Sequence, residues 1–148
     1  MMKRVVKQYV IVLMSLLIFS SCGGDDAEPV DEEALALNGD WILPAAGGGI
    51  IVDGVDRSLN FVGFKISLGS DTNGQEKTYR TSNAGDLFRA SGTWDWVSDS
   101  KNSMMLSEGK TLNIQSQSSS RLVFTFTYTD GGVRSGISGN YTLTLEKE

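Results

Sequence analysis

From Arg121 to Thr129 every second residue is large and apolar. Leu122, Phe124, Phe126 and Tyr128 alternate with Val123, Thr125, Thr127 and Thr129. Successive side chains of an extended strand point to opposite faces, so this segment gathers its aromatic residues on one side only as a β-strand. The β-branched residues on the other side favour the same backbone. The end of the chain repeats the device. Tyr141, Leu143 and Leu145 stand opposite Thr142 and Thr144 in a strand predicted over Gly139 to Glu146, and Asp130-Gly131-Gly132 supplies turn residues that tolerate positive φ.

Shorter segments follow the same period. Val62, Phe64, Ile66 and Leu68 alternate with smaller or polar residues, Asp71 to Gly74 makes a turn, and Lys77 to Ser82 reads as the return strand. Gly92 to Val97 places Trp94 and Trp96 on one face and Thr93, Asp95 and Val97 on the other. Ser98 to Asn102 turns into Met104-Met105-Leu106, and Glu108-Gly109 turns again into Lys110 to Gln115. At the front, Asp40 to Leu43 and Ile50 to Val52 are two short strands joined through Pro44 and Gly47-Gly48-Gly49. Helical periodicity is absent. Eight or nine strands at close spacing predict an all-β, antiparallel up-and-down meander that closes into a small eight-stranded barrel. Closure removes the sheet edges that otherwise template aggregation.

The N-terminus has a different grammar. Lys3, Arg4 and Lys7 precede a mostly apolar run from Tyr9 to Phe19, followed by Ser20, Ser21 and Cys22, the single cysteine. These are the regions of a secretory signal peptide. The apolar run is too short to span about 30 Å of hydrocarbon, which takes roughly 20 residues. Phe19-Ser20-Ser21-Cys22 resembles the lipobox of bacterial lipoproteins, which implies that Cys22 is acylated and becomes the mature N-terminus. Asp25, Asp26, Glu28, Asp31, Glu32 and Glu33 then resemble the acidic export signal of surface lipoproteins in the Bacteroidetes group. A solvated, self-repelling tether explains the same composition. The expected organisation is a signal peptide over 1–21, a lipidated acidic flexible tether over 22–37 and a barrel domain over 38–148. The expected location is the outer membrane, anchored by acyl chains on Cys22 and facing the cell surface.

Charge narrows the partners. The chain has 13 basic and 18 acidic residues. Three of the basic ones and no acid lie in 1–21, so the mature chain carries −8, of which the segment 22–37 contributes −6. The remainder is nearly balanced at −2 and shows no basic run, which argues against nucleic acid.

Gly39-Asp40-Trp41 at the start of the first strand matches the Gly-x-Trp of lipocalins. With Gly92-Thr93-Trp94 and the hairpins that follow, the chain resembles the lipocalin-like domains of Bacteroidetes lipoproteins over roughly Leu37 to Leu145. The resemblance implies a small barrel and, in the carrier members, an interior ligand site.

Catalytic chemistry finds few materials. The chain contains no histidine, which removes Ser-His-Asp and Cys-His catalysis and His-ligated zinc, and its one thiol is expected to be acylated. Asp86 and Asp95 are the nearest candidates for a two-carboxylate hydrolase, but alternation puts Asp95 opposite the tryptophans. Asp71 to Glu76 has part of the spacing of a calcium loop, yet an Asn73-Gly74 hairpin tip explains it better. No catalytic residue, metal ligand or cofactor is expected. Trp41, Phe64, Trp94, Trp96, Phe124, Phe126 and Tyr128 either line a ligand cavity or fill the core, and core filling is the expectation. The chain therefore reads as a non-catalytic binding or accessory module of the envelope, its partner an envelope protein, a glycan or a small apolar ligand. The alternative is a carrier whose aromatic-lined barrel holds a hydrophobic ligand or glycan.

Overall fold

The computed structural model describes residues 29–129 and 137–148. Cys22, Asp25, Asp26, Glu28, the leader and the Asp130-Gly131-Gly132 turn lie outside the described residues. The order of elements is α1 (Glu32–Leu37), β1 (Gly39–Ile42), β2 (Ile50–Val52), β3 (Val55–Asp56), a 3-10 turn (Ser58–Phe61), then seven further strands. These are β4 (Lys65–Ser70), β5 (Lys77–Ser82), β6 (Ser91–Trp96), β7 (Ser103–Leu106), β8 (Thr111–Gln117), β9 (Arg121–Tyr128) and β10 (Gly139–Lys147).

The strands from β4 to β10 pair antiparallel in sequence order, and β1 pairs with both β4 and β10. The sheet is thereby closed on itself as an up-and-down barrel of eight staves. One stave is shared. The long β10 carries β1 at its end, with Trp41 opposite Lys147, and β2 nearer its start, with Leu143 opposite Ile50 and Tyr141 opposite Val52. Between them the chain leaves the sheet at Pro44, which has no N–H to give a ladder, and returns through Gly47 and Gly48 at φ 84° and 73°. β2 then makes a small hairpin with β3, which with the 3-10 turn was not apparent from the sequence.

The alternation read from the sequence decides what is inside. Leu122, Phe124 and Phe126 of β9 and Tyr141, Leu143 and Leu145 of β10 are all buried, and the intervening threonines face out. Val62, which the alternation places inward, is the clearest exception. Val62 is 73% exposed, because the 3-10 turn ends at Phe61 and β4 begins only at Lys65. Phe61 and Phe64, on either side, take the buried positions instead.

Both ends of the barrel are stoppered. At one, α1 lies across the opening with Ala34 and Leu37 fully buried, and the Trp41 indole Nε1 donates to the Leu37 carbonyl at 2.8 Å. The sequence predicts a flexible tether over this segment and no helix, and the structure folds Glu32–Leu37 as α1 instead. Six residues are too few for a persuasive helical period, and the acids that look like a solvated tether include the N-cap: Asp31 accepts the Ala34 N–H at 3.1 Å. At the other end the β5–β6 connection folds Ala84, Leu87 and Phe88 inward.

Candidate functional site

The aromatic residues singled out from sequence fall into two groups. Trp41, Phe64, Trp94, Phe124 and Phe126 are buried at 3% exposure or less, while Trp96 and Tyr128 are only partly covered. Within the barrel the rings touch in series: Phe64 to Phe88 at 6.0 Å between centroids, Phe88 to Phe126 at 5.2 Å, and Phe126 stacked on Tyr141 at 5.0 Å and 12°. Offset and tilted contacts at these distances are the favourable ones for aromatic quadrupoles. Phe88 and Tyr141, which complete this series, and the buried Tyr79 were not among the site residues expected from sequence; Tyr79 and Tyr141 sit on inward positions of alternating strands and were legible in principle. Phe88 sits in a connection, where period carries no information.

The half-covered Trp96 belongs to a different place, where the barrel wall opens. The ladder between β5 and β6 has three registered pairs and stops at Thr78 opposite Thr93. On either side pairing goes further, through Ser70 opposite Lys77 and through Trp96 opposite Met104. β5 and β6 therefore part toward the α1 end, and side chains satisfy groups that a ladder would have used. The Trp94 indole donates to the Thr78 carbonyl at 3.2 Å, and the Asp95 carboxylate accepts the Trp96 N–H at 2.8 Å. A cleft of ≈ 700 Å³ lies over this opening, bounded by β5, β6 and β7 and open to solvent.

Lys77 threads the opening. As the first residue of β5 it points inward, its side chain 5% exposed, and its ammonium lies 5.9 Å from the Trp94 ring centroid. It meets Asp31 Oδ2 at 3.4 Å from α1 and Asp95 Oδ1 at 3.3 Å from the outer face of β6. An inward lysine reaches an outward aspartate only because no intact ladder stands between them. The strand order thus brings Asp95 to the cleft, as expected on the side away from the indoles, but paired.

Asp31 ties this arrangement together. Its carboxylate accepts from the Trp96 indole at 2.7 Å, from Lys101 at 2.8 Å and from the Ala34 N–H. Burial acts to raise its pKa; the Lys101 ammonium, the Ala34 N–H, Trp96 and Lys77 together outweigh burial and hold it down at about 2. Composition alone places Asp31 among the solvated tether acids. What marks it in retrospect is its position immediately before an apolar i, i+3 pair, Ala34 and Leu37.

The opposite end carries a second, smaller depression of ≈ 490 Å³ beside the β7–β8 turn, with Lys110 and Tyr128 in its wall. The Lys110 ammonium sits 4.5 Å from the Phe88 centroid, 5.3 Å from Phe126 and 5.5 Å from Tyr128, and 3.8 Å from Glu108. Burial pushes its pKa down. The two carboxylates weighed for hydrolysis do not share a site: Asp86 belongs to the β5–β6 connection, and Asp95 lies toward the other end of β6. Among the described residues no group of three or more His, Cys, Asp or Glu could hold a metal ion. Asp71 spends its Oδ1 on the Gln75 N–H at 2.6 Å, within its own hairpin turn.

No family model, curated protein or solved structure matches this chain.

Proposed function

We propose that this protein is an exported, lipid-anchored envelope lipoprotein of lipocalin-like type, whose barrel is a non-catalytic binding module held at the outer-membrane surface by acyl chains on Cys22. The leader and the single cysteine after it support the anchoring. One observation supports binding at the wall of the barrel rather than inside it: the interior is spanned by touching rings, while β5 and β6 part over a solvent-open cleft that reaches Trp94 and Trp96. A packed barrel is a rigid frame, and rigid frames hold binding groups in position at low entropic cost.

The anchoring is tested by intact mass of the mature protein, with a diacyl or triacyl cysteine expected at the N-terminus and no acyl label in Cys22→Ala. An unmodified N-terminus at another residue overturns it. Binding is tested by photocrosslinking in cells, with the reactive residue at Thr93 on the cleft or at Gln115 on the outer face of β8. Capture from Thr93 and not from Gln115 is expected. Capture of an apolar small molecule by extraction of the purified barrel, with none at Thr93, would return the carrier reading.

A further inference from the structure

Resting on the reading of the barrel as a binding module, we propose that the cleft over the β5–β6 opening is a site for a neutral saccharide chain. Its lining is divided in the way a sugar ring is divided. Val97 and Met105, each 46% exposed, make an apolar strip on the outer face that also carries Thr93 and Asp95, and where the strands part the cleft reaches the partly covered Trp96 of the inner face. A pyranose presents C–H bonds on its faces, which pack against such a strip and against an indole, and hydroxyls around its rim. The rim has partners here. The Asp95 carboxylate is 79% exposed and accepts hydroxyl protons, while Gln75 both donates and accepts.

The same lining argues against the other ligand classes. An apolar ligand gains its affinity from being about 70 to 90% enclosed, and this cleft is open. An anion, nucleic acid included, would need a free cation. Among the described residues Lys77 is the one cation lining the wall; its side chain is 5% exposed and already engaged by Asp31 and Asp95. The Asp95 carboxylate is already engaged by Lys77, while Glu76 adds a second carboxylate to the wall, so a cationic peptide is the competing occupant that polylysine probes. A neutral polyol asks for no unpaired charge. The volume of ≈ 700 Å³ lies within the usual range of about 300 to 1,000 Å³ for ligand sites. The Trp96 indole also needs no rearrangement: it is bonded to Asp31 and backed edge-to-face, at 5.0 Å and 86°, by the buried Trp94. Such a platform is preformed, and preformed sites lose little entropy on binding.

The test uses the mature, lipidated chain in detergent, titrated by calorimetry and tryptophan fluorescence with maltohexaose, cellohexaose, laminarihexaose and mannohexaose, and with polylysine and inorganic phosphate as charged probes. Saturable binding of at least one hexasaccharide is expected, with a change in tryptophan emission that Trp96→Phe alters. Met105→Glu and Val97→Lys, both on the outer face, should each weaken that binding at least tenfold with an unchanged thermal midpoint. Absence of saturable binding by all four saccharides at about 10 mM, a level that detects even a millimolar Kd, overturns the inference. Preferential binding of polylysine or phosphate at the cleft overturns it as well. Crosslinking separates this failure from failure of the broader reading: a protein or lipid captured at Thr93 ends the saccharide assignment and leaves the binding module standing, whereas capture from Gln115 alone removes both.

Discussion

The Trp96 indole Nε1 donates to Asp31 Oδ2 at 2.7 Å, joining the residue that caps α1 to a strand 65 positions later in the chain. The bond fixes two things at once. It orients the half-exposed indole at the cleft, and it fastens the segment entering the barrel to the wall. The neighbouring contacts point the same way: the Asp31 N–H donates to the Asn73 carbonyl at 2.8 Å, and the Gln75 side chain donates to the Pro29 carbonyl at 2.7 Å. A segment that composition marks as tether is thus docked from Pro29 onward.

A pH dependence follows from the carboxylate at the centre. Its pKa is about 2 in the folded chain against an ordinary 3.8. The lowered value means that the folded state binds the proton less well, so the stabilisation is complete above about pH 4 and is lost as pH falls through about 2. With 9% of the side chain exposed, the shift corresponds to about 2 kcal/mol. Asp31→Asn should lower the unfolding free energy by about that amount at pH 7 and by little near pH 2, measured by urea unfolding across the range. Equal destabilisation at both pH values would show that packing, and not charge, holds α1 in place.

The tryptophan pair separates stability from recognition. Trp94 is 3% exposed and its truncation to alanine should cost about 3 to 5 kcal/mol. Trp96→Phe keeps a ring but removes the donor to a buried carboxylate, a loss of about 1.5 to 3 kcal/mol. Asp95→Asn should change the thermal midpoint little, since its carboxylate is 79% exposed and the buried Lys77 keeps Asp31 at 3.4 Å as its partner. Calorimetry on the three variants should give that order. A Trp94→Ala protein as stable as the wild type would mean that its position is not core.

How much of this could be read from the chain depends on how local each signal is. The inward faces of β9 and β10 were legible because Leu122, Phe124, Phe126 and Tyr141, Leu143, Leu145 hold period two over long strands, and burial follows. The hairpin at Asn73-Gly74 was legible for the same reason, its geometry being set by neighbours in sequence. The closure of the barrel was expected from the count of strands, but not its shared stave, which depends on β10 being long enough to pair with β1 and β2 at once. The cleft was not legible at all. Trp94, Asp95 and Trp96 alternate as any strand does, and nothing in that alternation says that the neighbouring ladder ends at Thr93. Lys77 likewise reads as a polar strand terminus. Its burial comes from Asp31 and Asp95, both distant in sequence or on the opposite face.

Gly74 tests the docking from the hairpin side. It has φ of +75°, and a Cβ built there would lie 2.5 Å from the Asp31 carbonyl oxygen and 2.9 Å from the Asp31 Cβ. Gly74→Ala therefore meets both a left-handed backbone, costly for any residue with a Cβ, and a close main-chain neighbour. The expected result is a lowered midpoint and faster amide exchange at Ala34 and Leu35, whose N–H groups are held by Asp31. Exchange unchanged at α1 would place the strain within the hairpin alone.

Lys110 offers the reverse case, a charge whose burial works against it. Desolvation lowers its pKa, with Glu108 at 3.8 Å opposing, and the ammonium lies among Phe88, Phe126 and Tyr128. The aromatic faces attract the cation, and the aliphatic stem covers apolar surface. Lys110→Met keeps the stem and removes the desolvated charge, so two outcomes separate the terms. If desolvation dominates, the variant melts at or above the wild-type midpoint at pH 7. The wild type should then gain stability as pH rises toward 10.5, because in that interval the unfolded chain holds a proton that the folded chain releases. If the aromatic cage dominates, the methionine variant melts lower and the wild-type gain with pH disappears. With the side chain only 13% exposed, we expect the first result. Thermal melts of both proteins between pH 7 and 10.5 decide it, and a lower midpoint for Lys110→Met at pH 7 would overturn the expectation.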